Sequence, residues 1–262
     1  MRVGLISGTG GYDWPGLEDR RARSVRNDHG EVTLTEGTIS GVEVVHLCRH
    51  GAAHNRLSNH VDHRANLRAL IDAGADALLS TTVCGAVDAQ LPLGTLVVFD
   101  DLHFPSNRLP DGTLCTWHAE PGAAGRGHWI FDRPFSEPLR QALLEGAARA
   151  GVAASGRGCY GHVDGPRFNS RSEIAALRAA GVSAVSQTVG PEAVLAGEAE
   201  VPLAAIGYLT DYANGVIPEP EPVEALTRRI AEAPRVLAAV VDAALPLIGQ
   251  PPGPTGTVLR LG

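Results

Sequence analysis

The chain has 262 residues, 44% of them hydrophobic and 19% charged, enough for one large globular domain or two small ones. Its 22 basic and 29 acidic residues leave a formal charge of −7, so no positive excess exists to neutralise nucleic-acid phosphates. Every Lys/Arg position is arginine, which excludes a Walker-type lysine, a Schiff base to pyridoxal phosphate and a lysine base.

In chain order, residues 3–7 form a short apolar run that ends in Gly8-Thr9-Gly10-Gly11, and Met1 to Ile6 read as a strand rather than a targeting peptide. Residues 32–39 and 42–48 are β-rich runs around Ser40-Gly41, the signature of a hairpin. Ala65, Leu67, Leu70 and Ile71 place a helix over 61–73, stopped by Gly74. Residues 75–83 and 95–100 predict buried strands, and 137–150 a helix closed by Gly151. Ser170-Arg171-Ser172-Glu173 is a capping box that opens a helix reaching about residue 180. A strand over 182–186, a helix over 191–199 and a strand over 203–209 follow. The longest helical pattern spans 222–248, and Pro234 within it is a candidate break. The Pro/Gly-rich tail from 249 to 262 is expected to be poorly ordered unless it docks on a neighbour.

Alternating strands and helices without a linker predict one α/β domain over residues 1–248, and the hairpin makes its sheet mixed. No apolar run reaches the roughly 18–20 residues of a membrane span. Cys48, Cys84, Cys115 and Cys159 are scattered without a Cys-x-x-Cys pair, which points to buried thiols in a cytoplasmic protein.

Six short motifs fall at predicted strand ends or helix starts, where open α/β sheets bind ligands. Gly8-Thr9-Gly10-Gly11 suits either a tight turn or close backbone approach to an anion, and Asp13 breaks the dinucleotide glycine pattern. Arg49 and His50 can both donate to an anion, with surface placement as the plainer alternative. His54, His60 and His63 lack the spacing of a zinc helix. Thr82-Val83-Cys84-Gly85 and Ser186-Gln187-Thr188 supply hydroxyls, Phe168 an aromatic face, and Asp211 a carboxylate. Hydroxyls, Arg and backbone N–H groups suit phosphate, while an aromatic face and an acid suit a nitrogenous base. The combination points to a site for phosphate plus a nucleoside.

Taken together with Gly165-Pro166-Arg167-Phe168, Pro191-Glu192-Ala193 and Thr210-Asp211-Tyr212, these motifs stand in the order seen in trimeric purine nucleoside phosphorylases. The chain resembles that family from about residue 3 to 248, and most of all its 5′-methylthioadenosine phosphorylase branch. The resemblance implies a single α/β domain with a mixed, partly barrel-like sheet, assembled as a homotrimer with shared active sites. It implies that Thr9, Arg49, His50, Thr82, the Val83 backbone and Thr188 hold phosphate, and that Phe168, Gln187, Cys84, Gly85 and Asp211 line the base and ribose. Asp211 would protonate the leaving purine, and His54 and His128 would lie on the 5′ side, the latter reaching a neighbour's pocket. Inorganic phosphate is the implied co-substrate, with no metal or organic cofactor.

Three departures bear on the substrate. Ala213 stands where branch members carry a second acid, Gln187 stands where the family has a methionine, and Asp101-Leu102-His103-Phe104-Pro105 differs from the usual pattern. The expected substrate is 5′-methylthioadenosine or a related 6-aminopurine nucleoside. The alternatives are a phosphorylase for 6-oxopurine or other 5′-modified nucleosides, a hydrolase, an oxidoreductase, or a non-catalytic nucleoside-binding relative.

Overall fold

The computed structural model describes residues 1–11, 13–51 and 55–260. The first strand, β1 (Arg2–Ser7), is followed by an antiparallel meander of β2 (Glu18–Asn27), β3 (Gly30–Ile39) and β4 (Val42–Cys48). After α1 (His63–Asp72) come β5 (Ala77–Ala86), β6 (Leu96–Val98), β7 (Asp101–His103) and β8 (Gly127–Ile130). The second half holds α2 (Glu137–Arg149), β9 (Ala154–Ser155), β10 (Cys159–His162), α3 (Arg171–Ala179), β11 (Val182–Ser186) and α4 (Val189–Glu198). It ends in β12 (Leu203–Tyr212), the long α5 (Val223–Ala244) and β13 (Thr257–Arg260).

Eleven of these strands form one mixed sheet, ordered β2-β3-β4-β1-β5-β11-β10-β7, and β12, β6 and β9 branch from β5. The branch is what shapes the site. On one side β5 pairs with β12 along its length, from Leu78 opposite Leu203 to Ala86 opposite Tyr212. On the other side β1 runs parallel to β5 only as far as Ser80, and β11 runs antiparallel to it only at Gly85 and Ala86. The C-terminal ends of β1 and β11 therefore point at each other across the stretch 81–84. Ligands of α/β sheets bind at such changes of strand direction.

Alternating side chains cover the sheet on both faces. Ile6, Leu34, Leu47 and Leu78 pack on one face with Leu67 and Leu70 of α1 and Leu195 of α4. Leu5, Leu79 and Ile206 pack on the other with Leu139 and Leu143 of α2 and Leu237 and Val241 of α5. No helix among the described residues is long and apolar enough to cross a membrane. Cys84, Cys115 and Cys159 are free thiols.

The structure decides two points that the sequence leaves open. Helix α5 runs unbroken through Pro234, because Ala233, Leu237, Ala238, Val240 and Val241 bury its second half against the sheet. That burial outweighs the cost of a proline inside a helix, about 3 kcal/mol. The tail docks on its own chain: β13 pairs antiparallel with β8, with Val258 opposite Trp129 and Leu259 opposite His128. Trp129 Nε1 donates to Thr255 O at 2.7 Å, which adds a side-chain anchor.

The Pro234 ring presses on the loop after β1. Gly10 has φ of +84°, and a side-chain carbon there would lie 2.5 Å from Pro234 Cγ. Gly10→Ala is therefore expected to cost about 2 kcal/mol or more, from left-handed strain plus the displaced proline. A lowered urea midpoint with an unchanged slope would register it.

Candidate active site

A cavity of about 270 Å³ opens where β1 and β11 meet over β5. One end is polar. Gly8 and Thr9 come from the loop after β1, His50 from the segment after β4, Thr82 and Val83 from β5, and Thr188 from the start of α4. Ser186, the last residue of β11, joins them, its hydroxyl 3.0 Å from Thr82 Oγ1. The Tyr160 hydroxyl accepts from the backbone N–H groups of Thr188 and Val189 at 3.2 Å and fixes the entry into α4.

Arg49 stands elsewhere. The resemblance implied that it holds phosphate, but its guanidinium is buried beneath the loop and is absent from the cavity wall. Nε and Nη2 donate to the Glu192 carboxylate at 2.7 and 3.0 Å, Nη2 also to Ser80 Oγ at 2.8 Å, and Nη1 to Thr81 O at 2.7 Å. A side-chain carbon on Gly8 would lie 2.7 Å from Nη1, so the loop rests directly on this group. The reason is charge: Glu192, in the first turn of α4, is 1% exposed and needs a cation. Arg49 therefore braces the polar end from behind.

His50 does reach the wall. Its Nδ1 lies 2.9 Å from Arg56 O and donates to it, since a carbonyl only accepts. Burial, and then the nearby Arg49 charge, push the imidazole down to about 4, so it is neutral at pH 7. His54 lies outside the described residues.

The other end of the cavity joins apolar residues to Asp211, Thr210, Asn169 and Asn214. Phe168 is 63% exposed at the mouth, in a segment held by Arg167 to Glu173 at 2.7 Å and by the Ser170–Glu173 capping box. Asn214 Nδ2 donates to Asn169 O at 2.7 Å and ties this segment to the end of β12. Asp211 Oδ1 accepts the Thr210 hydroxyl at 2.7 Å. Burial raises the Asp211 carboxyl above its ordinary range, opposed by that hydrogen bond and by the Arg229 charge. Its Oδ2 faces Gly85, 3.5 Å from where a side-chain carbon would begin. Cys84 is a buried wall thiol that desolvation holds protonated.

Ala213 is buried among Val87, Ile174 and Val185, so the place expected for a second acid is apolar. Gln187 lies between the two ends, accepting from Ser58 Oγ at 2.6 Å and donating to Arg167 O at 3.3 Å. His128 is not on this wall. It sits on β8 beside Trp129 and Phe131, at a separate surface hollow of the same chain.

Of the wall residues that sequence reasoning did not select, Ser186 had a signal, its place at the end of a predicted strand. Ser58 had none, since only tertiary contact brings it to Gln187. Among the described residues, no three His, Cys, Asp or Glu side chains stand close enough to share a metal ion.

Two outcomes follow from these buried charges. Arg49→Met strands the Glu192 carboxylate and is expected to cost about 3–5 kcal/mol, part of which Arg49→Met with Glu192→Leu recovers in denaturant titration. His46, His50 and His162 are depressed to about 4, 4 and 3, mainly by burial. The unfolded chain then binds protons near pH 6.5 that the folded chain refuses, so stability falls as pH drops from 6.5 towards 4. Denaturant titrations between pH 7.5 and 4.5 should show a loss of roughly 2.5 kcal/mol for each of these histidines.

Comparison with known proteins agrees with this geometry. The family model described as the Phosphorylase superfamily matches residues 2–246. A probable 6-oxopurine nucleoside phosphorylase of Dictyoglomus turgidum is 35% identical over 246 residues, 92% of this chain and 91% of that protein. The S-methyl-5′-thioadenosine phosphorylase of Drosophila melanogaster is also 35% identical, over 216 residues, 81% of this chain and 73% of that protein. The structure of methylthioadenosine phosphorylase from Schistosoma mansoni in complex with adenine superposes with a TM-score of 0.85 at 27% identity, covering 95% and 92% of the two chains. The sheet branching at β5, the cavity above it and a match along nearly the whole chain have one reading: the protein belongs to the phosphorylase superfamily and is a purine nucleoside phosphorylase, a pentosyltransferase.

Proposed function

We propose that the protein cleaves 5′-methylthioadenosine or a related 6-aminopurine nucleoside with inorganic phosphate, releasing the base and the ribose-1-phosphate derivative. The observation that carries this reading is the polarity of the cavity. Thr9, Thr82, Thr188 and the Val83 backbone cluster at one end, and Phe168 and Asp211 at the other.

The chemistry follows from charge. As the glycosidic bond loosens, the sugar becomes cationic and the purine gathers negative charge. A phosphate at the hydroxyl end stabilises the cation and captures C1′, with donors already in place. Burial favours the neutral form of Asp211, which then donates its proton to purine N7. Phe168 offers its exposed face to the base. The reading uses no metal or organic cofactor, and it places the enzyme in the cytoplasm.

A second reading is a preference for 6-oxopurines. Ala213 removes the second acid from the base end, and relatives named for 6-oxopurine nucleosides match this chain as well as those named for methylthioadenosine. We further propose a homotrimer in which His128, remote from its own chain's cavity, completes the 5′ side of a neighbour's.

Free-base release measured by chromatography tests the reading, using methylthioadenosine, adenosine and inosine, each with and without phosphate. Phosphate-dependent adenine release is the expected result, hypoxanthine release selects the 6-oxo reading, and phosphate-independent release overturns phosphorolysis. Asp211→Asn is expected to lower kcat about a hundredfold. The parent rate should fall on the alkaline side, as pH rises through the raised Asp211 value.

A further inference from the structure

Behind the polar end of the cavity lies a buried hydrogen-bond chain that no step of the reaction uses. Ser7, the last residue of β1, and His46, in β4, are 1% and 3% exposed. Ser7 Oγ donates to Gly11 O at 2.7 Å and lies 2.8 Å from His46 Nε2. A carbonyl only accepts, so the single Ser7 proton goes to Gly11 and the Ser7 oxygen accepts from His46 Nε2–H. Burial keeps the imidazole neutral, and its one proton is therefore on Nε2.

The chain is built in from both ends. The Trp14 ring packs beside His46 at 5.9 Å and is itself anchored through Nε1 to Asp242 of α5 at 3.0 Å. At the other end, a side-chain carbon on Gly11 would lie 2.7 Å from Ser7 Cβ and 3.1 Å from its Oγ, so the hydroxyl sits directly under the loop. Gly11 N in turn donates to Gly8 O at 3.1 Å and closes the turn that carries Thr9.

We propose that Ser7 and His46 are positioning residues for the co-substrate phosphate: the relay from His46 through Ser7 to Gly11 locks the Gly8–Gly11 turn so that Thr9 faces the anion. The inference rests on the reading that phosphate binds at Thr9. A turn with three glycines has many accessible conformations, and an anion that must select one of them binds more weakly. The relay is neutral, so it acts on the geometry of the turn and leaves the field at the site unchanged.

The test is steady-state kinetics with phosphate varied at saturating nucleoside, and then the reverse. Ser7→Ala and His46→Leu are expected to raise KM for phosphate about tenfold, the weight of one lost hydrogen bond, with nucleoside KM within about twofold of the parent. His46→Gln keeps an N–H donor near the Nε2 position and is expected to restore most of the phosphate affinity. Titration calorimetry of inorganic phosphate without nucleoside should show the same factors. A folded Ser7→Ala with a lowered melting temperature and an unchanged phosphate KM overturns the proposal, as does an equal rise in both KM values. Thr9→Val separates the two readings. If it raises phosphate KM while Ser7→Ala and His46→Leu do not, only the relay fails; if it too leaves phosphate KM unchanged, the phosphate assignment fails and the relay with it.

Discussion

The edge of β5 must be hydrogen-bonded somewhere, and this fold divides that duty between two strands running in opposite directions. β1 takes the edge up to Ser80 and β11 takes it at Gly85. The stretch between them belongs to neither, and a cavity forms there because two strand ends cannot fill it. Both ends then turn into loops whose backbone groups have no ladder partner. A site lined by loop residues and hydroxyls is the direct consequence of this topology.

Such a gap weakens the sheet unless something spans it from behind. Arg49 does so, bonding Thr81 O and Ser80 Oγ of β5 and the Glu192 carboxylate of α4 at once. A buried ion pair of this kind adds little net stability over an apolar pair of the same shape. Its contribution here is register: three elements are held at one point, with the Gly8 loop resting on top. The polar end of the cavity is thereby pre-shaped, while the neutral histidines around it add no competing positive charge at pH 7.

Most of the frame was legible in the sequence because its strands are apolar runs and its helices are periodic. The hairpin at Ser40-Gly41, β5, β11 and β12 all fall where composition places them. β2 was not legible, since Glu18–Asn27 is charged, exposed and without alternation, and only pairing with β3 makes it a strand. β8 and β13 are four-residue strands that exist through each other and through Trp129. At the site, motif position brought Thr9, His50, Thr82, Phe168, Thr188 and Asp211 onto one wall. The buried pairing of Arg49 was not legible: its sequence neighbourhood is that of an anion ligand, and its partner Glu192 lies 143 positions away.

The base end poses the remaining question in simple terms. A neutral Asp211 has one proton to donate, and its Oδ1 accepts the Thr210 hydroxyl. Oδ1 keeps a second lone pair, Oδ2 faces Gly85, and Asn214 lines the same cavity, so several polar groups stand at this end. Gly85 leaves room beside Oδ2, and Ala213 offers no polar atom. A neutral Asp211 offers one donor and keeps acceptor capacity, the pair of functions that N7 and a 6-amino group of the proposed substrate would meet. On the proposed function, Asp211 protonation bears on how the base is read: an ionised carboxylate only accepts, a neutral one also donates, and burial favours the neutral form.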